Sequence, residues 1–173
     1  MDIVDLIVAQ WEVERPDIDA SPMHVIGRIS RLAADLDPLL APVFTSRGLG
    51  DGEFDVLATL RRSGEPFELS PGDLGASMMV TSGAVTKRVD RLERSGLVTR
   101  RVSEVDARAR LIKLTAKGRT IVDEAVVDHV ANEERLLSGL SADERETLAG
   151  LLRKLGESID TLAGRNAAPV QRG

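Results

Sequence analysis

Ser82, Gly83, Thr86, Lys87, Arg91 and Arg94 fall within thirteen residues at spacings a helix would place to one side, with Val85, Val89 and Leu92 gathered on the other. At 100° per residue the three apolar side chains coincide and must face a core, while Gly83, Lys87 and Arg94 lie opposite and Thr86, Asp90 and Arg91 flank them. The chemistry open to such a face is recognition rather than bond-making. Small polar groups near a helix N-terminus can reach base edges in a major groove, and cations further along can meet phosphates. Ser82, Gly83, Thr86 and Lys87 are the candidates for base edges, Gly83 because it lets the backbone come close. Arg91 and Arg94 are the candidates for phosphates, and Arg88, nearer the core flank, is a lesser one. Ser70, at the head of the preceding short helix, joins the set. A plain amphipathic helix with a solvated charged face has the same pattern, so this segment alone decides nothing.

The stretch C-terminal to this helix narrows the reading. Asp106, Arg108 and Arg110 sit in or beside a charged loop between two strand-like runs, 97–102 and 111–114. Long cations on a thin β-loop can enter a minor groove, and Asp106 can either hold Arg108 by an ion pair or start the turn. The chain carries a net charge of -5, yet residues 81–120 hold eleven Lys/Arg against four acids. That stretch is about +7, which leaves about -12 elsewhere. A basic block inside an acidic chain is an electrostatic footprint for a polyanion.

Other chemistries are excluded or unsupported. There is no cysteine, hence no disulfide, thiolate metal site or thiol redox sensor, and there are only two histidines, His24 and His129. No Gly-rich phosphate loop, zinc spacing, nucleophile elbow or Ser/His/acid set is present, so neither catalytic residues nor a cofactor nor a metal is expected. Aromatic residues make up 2% of the chain, too few to stack the bases of a single strand. No run of eighteen apolar residues marks a membrane span, and the N-terminus lacks the positive segment of a signal peptide. The expected location is the cytoplasm.

The elements that position these groups can be read in outline. Ile3 to Trp11 predicts a helix ending near Pro16. Ser21 is expected to cap a second helix with Pro22 in its first turn. Val25, Ile29, Leu32, Leu36, Leu39 and Val43 form its apolar seam, and Pro38 and Pro42 should kink or end it. Phe54, Leu57 and Leu60 mark one face of a helix from about 51 to 62. Ser70-Pro71-Gly72-Asp73 opens a short helix to about Met78. Thr81 can cap the next, which stops at Gly96. A hairpin comes next, then a long helix from about 116 to 137. Ser141 to Glu144 is a capping box before a last helix with a stripe at Leu148, Leu151, Leu152, Leu155, Ile159 and Leu162. The expected fold is mostly α with a small β-hairpin, a winged helix-turn-helix core flanked by helical arms. Its parts are N-terminal helices over 1–46, the winged core over 47–115, C-terminal helices over 116–163, and a disordered tail over 164–173.

The run from Ser82 to Val98, with Leu74-Gly75 before it and Asp106 to Gly118 after it, resembles the MarR family of bacterial transcription regulators. The family's wing usually reads Asp-Arg-Arg before a Leu-Thr-x-x-Gly segment. Here Ala107 takes the slot of the first arginine and Arg108 that of the second, which leaves the wing contact on Arg108 and Arg110. The resemblance spans about residues 21–163. It implies a homodimer, built from the terminal helices, that binds double-stranded DNA as a ligand-responsive repressor on a pseudo-palindromic operator. The seams at 25–43 and 148–162 agree, since exposed apolar arms would pack on a symmetric partner or on each other.

The helix before Ser21 is similar to an added N-terminal helix in a subgroup that responds to urate or related small anions. In that subgroup a tryptophan there joins an acid and an arginine. Trp11 matches the first, and Asp55 and Arg62, seven apart on one helix face, are the matches for the others. A small anionic or aromatic ligand such as urate or a phenolic carboxylate is the implied partner. Trp11 can equally be a packing residue, and Asp55 with Arg62 a surface pair worth under about 1 kcal/mol. Two rival classes stand beside this reading: a winged helix used only for protein–protein contact, and an enzyme.

Overall fold

A computed structural model describes residues 1–50, 52–78, 82–102 and 110–164, with only the backbone of Ser82. It divides into two compact units, Met1–Val130 and Ala131–Gly173. Its elements, in chain order, are α1 (Ile3–Glu14), α2 (Met23–Thr45), α3 (Glu53–Arg62), β1 (Glu68–Leu69), α4 (Pro71–Met78), α5 (Ser82–Arg94), β2 (Val98–Val102), β3 (Arg110–Leu114), α6 (Ala116–Leu136) and α7 (Ala142–Leu162). The mostly helical fold with a small sheet is the expected one, and among the described residues no helix is long and apolar enough to cross a membrane.

In the first unit one core joins α3, α4, α5, the sheet and the start of α6. Phe54, Val56, Leu57 and Leu60 of α3 meet Leu74 of α4, Val85, Val89 and Leu92 of α5, Val98 and Ile112 of the strands and Val122 of α6. Each fully buried aliphatic side chain stabilises the fold by about 1.5–3 kcal/mol. The sheet is antiparallel in the order β1-β3-β2. Its hairpin register runs from Val98 opposite Leu114 to Val102 opposite Arg110. β1 was not foreseen: Glu68 and Leu69 pair with Lys113 and Ile112. Two residues carry no periodicity, so only the partner strand reveals them.

A smaller cluster of Val4, Val8 and Ala20 seats α1. Asp2 caps α1 through the N–H groups of Val4 and Asp5, and Asp5 returns the bond to the Asp2 N–H. Arg28 of α2 bridges both carboxylates, at 2.9 Å to Asp2 and 2.6 Å to Asp5.

Two expectations for α2 need correcting. Ser21 makes no capping bond; Pro22 holds the cap position and no side chain caps the helix. Nor do Pro38 and Pro42 end it, since α2 is continuous for 23 residues through both. The prolines are four apart on an exposed face, where Ala34 and Pro38 are also exposed. The carbonyls that lose their N–H partners there can turn to water, which lowers the cost of a proline inside a helix. No residue of α2 is buried within the chain.

In the second unit, Ser141 accepts from the Glu144 N–H and the Glu144 carboxylate accepts from the Ser141 N–H, the capping box read from the sequence. Glu144 sits below the usual carboxylate range because the Ser141 N–H donates to its charged form. α7 also buries none of its residues, and Leu151 is 61% exposed.

Candidate nucleic-acid interface

The geometry of α5 begins with what it hides. Val85, Val89 and Leu92 are each 1% exposed against the core, which turns Gly83, Thr86, Lys87, Arg91 and Arg94 outward. A Cβ built on Gly83 would meet nothing within 4 Å, so that position looks onto open space. Lys87 forms no ion pair with any described residue. Arg94 folds back to the Asp90 carbonyl, at 3.2 Å.

Other cations of the basic block are tied to the protein itself. Arg91 Nε donates to Glu53 Oε1 at 2.6 Å. Arg100 donates to both Asp90 and Glu93, which raises its pKa further and joins β2 to α5. Arg101 grips Glu68, and that pair holds the Glu68 carboxyl below the usual range. Lys117 donates to the Ser95 carbonyl at 3.0 Å. The cations left facing outward on α5 are therefore fewer than the charge count suggested, with Lys87 foremost.

Ser70 caps α4: its hydroxyl donates to Asp73 at 2.7 Å and accepts from the Asp73 N–H at 3.1 Å. That bond satisfies one of the helix's open N–H groups and fixes the first helix of the pair. Ser82 opens α5. At the wing, Arg110 is exposed and opposes Val102 at the end of the ladder. Asp106 and Arg108 lie outside the described residues, as does Thr81.

The three ligand candidates fall in three places. Trp11 lines a shallow depression on α1 with Ala9, Gln10, Val13 and Glu14. Asp55 lines a cavity of about 370 Å³ between α2 and α3, with Leu40, Phe44, Gly52 and Phe54. Arg62 donates to the Ser77 carbonyl at 3.0 Å. A cation at the end of α4 finds open carbonyls and the negative end of the helix there. A separation of seven along a helix is also about 10 Å, so sharing a face does not make a pair.

Arg88, read from the sequence as a lesser DNA contact, has an environment that was not foreseen. It is half-buried, its Nη1 is buried with no hydrogen-bond partner among the described residues, and its guanidinium lies against Gly52. Gly52 has φ +67, a left-handed backbone that favours glycine, and a Cβ there would fall 2.0 Å from Arg88 Cζ, so a side chain would displace the guanidinium. A buried donor without a partner costs free energy. Its place on the core flank of α5 was legible in the sequence, but the contact with Gly52, 36 residues earlier, was not.

A sequence model of the MarR family matches residues 47–109. The chain is 42% identical over 153 residues to the HTH-type transcriptional regulator PecS of Dickeya dadantii, covering 88% of this chain and 92% of that protein. It is 26% identical over 143 residues to the HTH-type transcriptional repressor YetL of Bacillus subtilis, covering 83% and 85%. Among solved structures it is similar to a MarR mutant from E. coli complexed with operator DNA, with TM-score 0.68 and 28% identity over 80% of this chain and 99% of that one. A MarR family transcriptional regulator from Streptomyces coelicolor gives TM-score 0.71 and 29% identity over 83% and 98%.

Proposed function

The chain belongs to the MarR family of transcription regulators, and from that premise we propose that it is a DNA-binding regulator whose α5 enters the major groove while its hairpin wing reaches the neighbouring minor groove. The observation that carries this is the outward face of α5, where Gly83 opens onto empty space and Lys87 has no ion pair with any described residue. The family is one of regulators rather than enzymes. Ser82, Thr86 and Lys87 address base edges, Arg94 a phosphate, and Arg108 and Arg110 the minor groove. Arg91 reaches DNA less directly, through the position of the helix that Glu53 holds.

The regulator works as a homodimer in the cytoplasm. Support comes from α2 and α7, neither of which buries a residue within its own chain although both carry apolar stripes. Exposed stripes of this length call for a partner surface. A two-fold dimer prefers a pseudo-palindrome with half-sites about 34–36 Å apart. Repression is the mode, by analogy with the YetL repressor.

Regulation is by a small anionic or aromatic ligand such as urate or a phenolic carboxylate. The cavity beside Gly52 and Asp55, with Arg88 behind it, supports this better than a site joining Trp11, Asp55 and Arg62. A mobility shift on DNA upstream of the gene tests the DNA reading, and no shift on that DNA or on a selected random library rejects it. Titration with urate and with salicylate, following DNA release and the fluorescence of the single tryptophan, tests the ligand reading. Release by either supports it, and retention of DNA at saturation of both counts against it.

A further inference from the structure

Glu53 is a buried carboxylate, 7% exposed, and both its oxygens are engaged. Oε2 accepts the Gly50 N–H at 2.7 Å, and Oε1 accepts Arg91 Nε at 2.6 Å. One acceptor therefore holds a loop on one side and the reading helix on the other. Three residues earlier on α5, Arg88 rests on Gly52 of the same loop. Two arginines spaced i, i+3 thus share a flank of α5, Arg88 resting on Gly52 and Arg91 reaching Gly50 through the Glu53 carboxylate. Gly50 and Gly52 both line the cavity that holds Asp55.

We propose that Glu53 is a positioning residue whose carboxylate makes the cavity-lining loop at Gly50 and the DNA-reading helix α5 move as one body. The proposal rests on the reading of α5 as the DNA-contacting helix. A charge buried with its partner resists separation, because removing either member strands the other. A displacement of Gly50 by an occupant of the cavity is then passed to Arg91 rather than absorbed by the loop. By reciprocity, DNA that fixes α5 must also fix Gly50. A contact that merely stabilised the fold would carry no such message from DNA to the loop.

The test is amide hydrogen exchange at Gly50 in the full-length protein, with and without the duplex it shifts, in the wild type, Glu53→Gln and Arg91→Gln. In the wild type the duplex slows Gly50 exchange by about tenfold or more, as expected when opening requires breaking a charge-assisted bond. In Arg91→Gln, verified as folded by circular dichroism, bound duplex leaves Gly50 exchange unchanged. Glu53→Gln exchanges rapidly in both conditions. The double variant binds duplex no more weakly than the weaker single one, because the two changes remove one link. Duplex that binds the wild type without slowing Gly50 overturns the coupling alone, as does slowing that survives Arg91→Gln. A wild type that binds no duplex overturns the DNA reading and the coupling with it.

Discussion

Arg101 on β2 meets Glu68 on β1 through two parallel bonds, Nε to Oε2 at 2.8 Å and Nη2 to Oε1 at 2.5 Å. The two residues belong to strands that do not pair with each other, since β3 runs between them. The contact therefore braces the sheet across its middle strand, and it withdraws Arg101 from the cations available to a polyanion.

Arg101→Ala should accordingly lower unfolding stability by about 1–2 kcal/mol, as for a charged hydrogen bond that is partly screened. The salt dependence of DNA affinity should stay as in the wild type. Urea unfolding and a salt titration read the two effects separately. A salt slope shallower by one phosphate would show that Arg101 contacts DNA after all.

Stability should fall in acid. Glu68, Asp2, Asp5 and Glu144 are all held below their ordinary range, Glu68 by Arg101 and the others first by backbone N–H groups at helix starts. A carboxylate lowered in the folded state binds fewer protons there than when unfolded. Its stabilisation is whole above the unfolded value of about 4 and drains as pH drops through the folded one. Urea midpoints at pH 7 and pH 5 should therefore be similar with respect to these groups, with a drop by pH 3. Glu68→Gln should shrink that drop, and a midpoint that climbs on acidification would refute the assignment.

Gly118→Ala should destabilise the fold by about 1–3 kcal/mol, although alanine is the better helix former. A Cβ there would stand 2.1 Å from the Leu97 carbonyl oxygen and 3.0 Å from Leu114 Cδ1, and a backbone atom cannot step aside cheaply. This contact is a physical reason for glycine in the Leu-Thr-x-x-Gly segment. Thermal unfolding decides it, and a melting point at or above the wild type's would mean α6 can shift away from β2.

Gly83→Ala should behave in the opposite way. No described residue opposes a side chain there, so stability should hold or rise by up to about 1 kcal/mol. Operator affinity should fall all the same, because the added methyl stands between α5 and the groove floor. Equal affinity in a stabilised variant would remove Gly83 from the interface.

What the sequence disclosed was what depends on near neighbours. The face of α5 followed from residues three and four apart, the Ser141 cap from residues three apart, and the hairpin from two alternating runs joined by a short loop. Pairings across the chain were not readable. Arg91 and Glu53 are 38 residues apart, Arg101 and Glu68 are 33 apart, and no spacing rule links them. For that reason the basic block looked like one footprint when part of it braces the fold. Arg62 was matched to the ligand on its helical separation from Asp55, whereas the burial of Arg88 and its contact with Gly52 exist only in three dimensions.

The most direct test is the affinity of the wild type and of Lys87→Ala for one shifted duplex, measured by fluorescence anisotropy across a range of salt. Each phosphate neutralised contributes about -0.9 to the log–log slope. The wild type should therefore weaken steeply, with a slope of about -3 or beyond, and Lys87→Ala should lose about 1–3 kcal/mol of binding to that duplex at fixed salt. Affinity that ignores salt, or a Lys87→Ala protein that binds as the wild type does, would contradict the account.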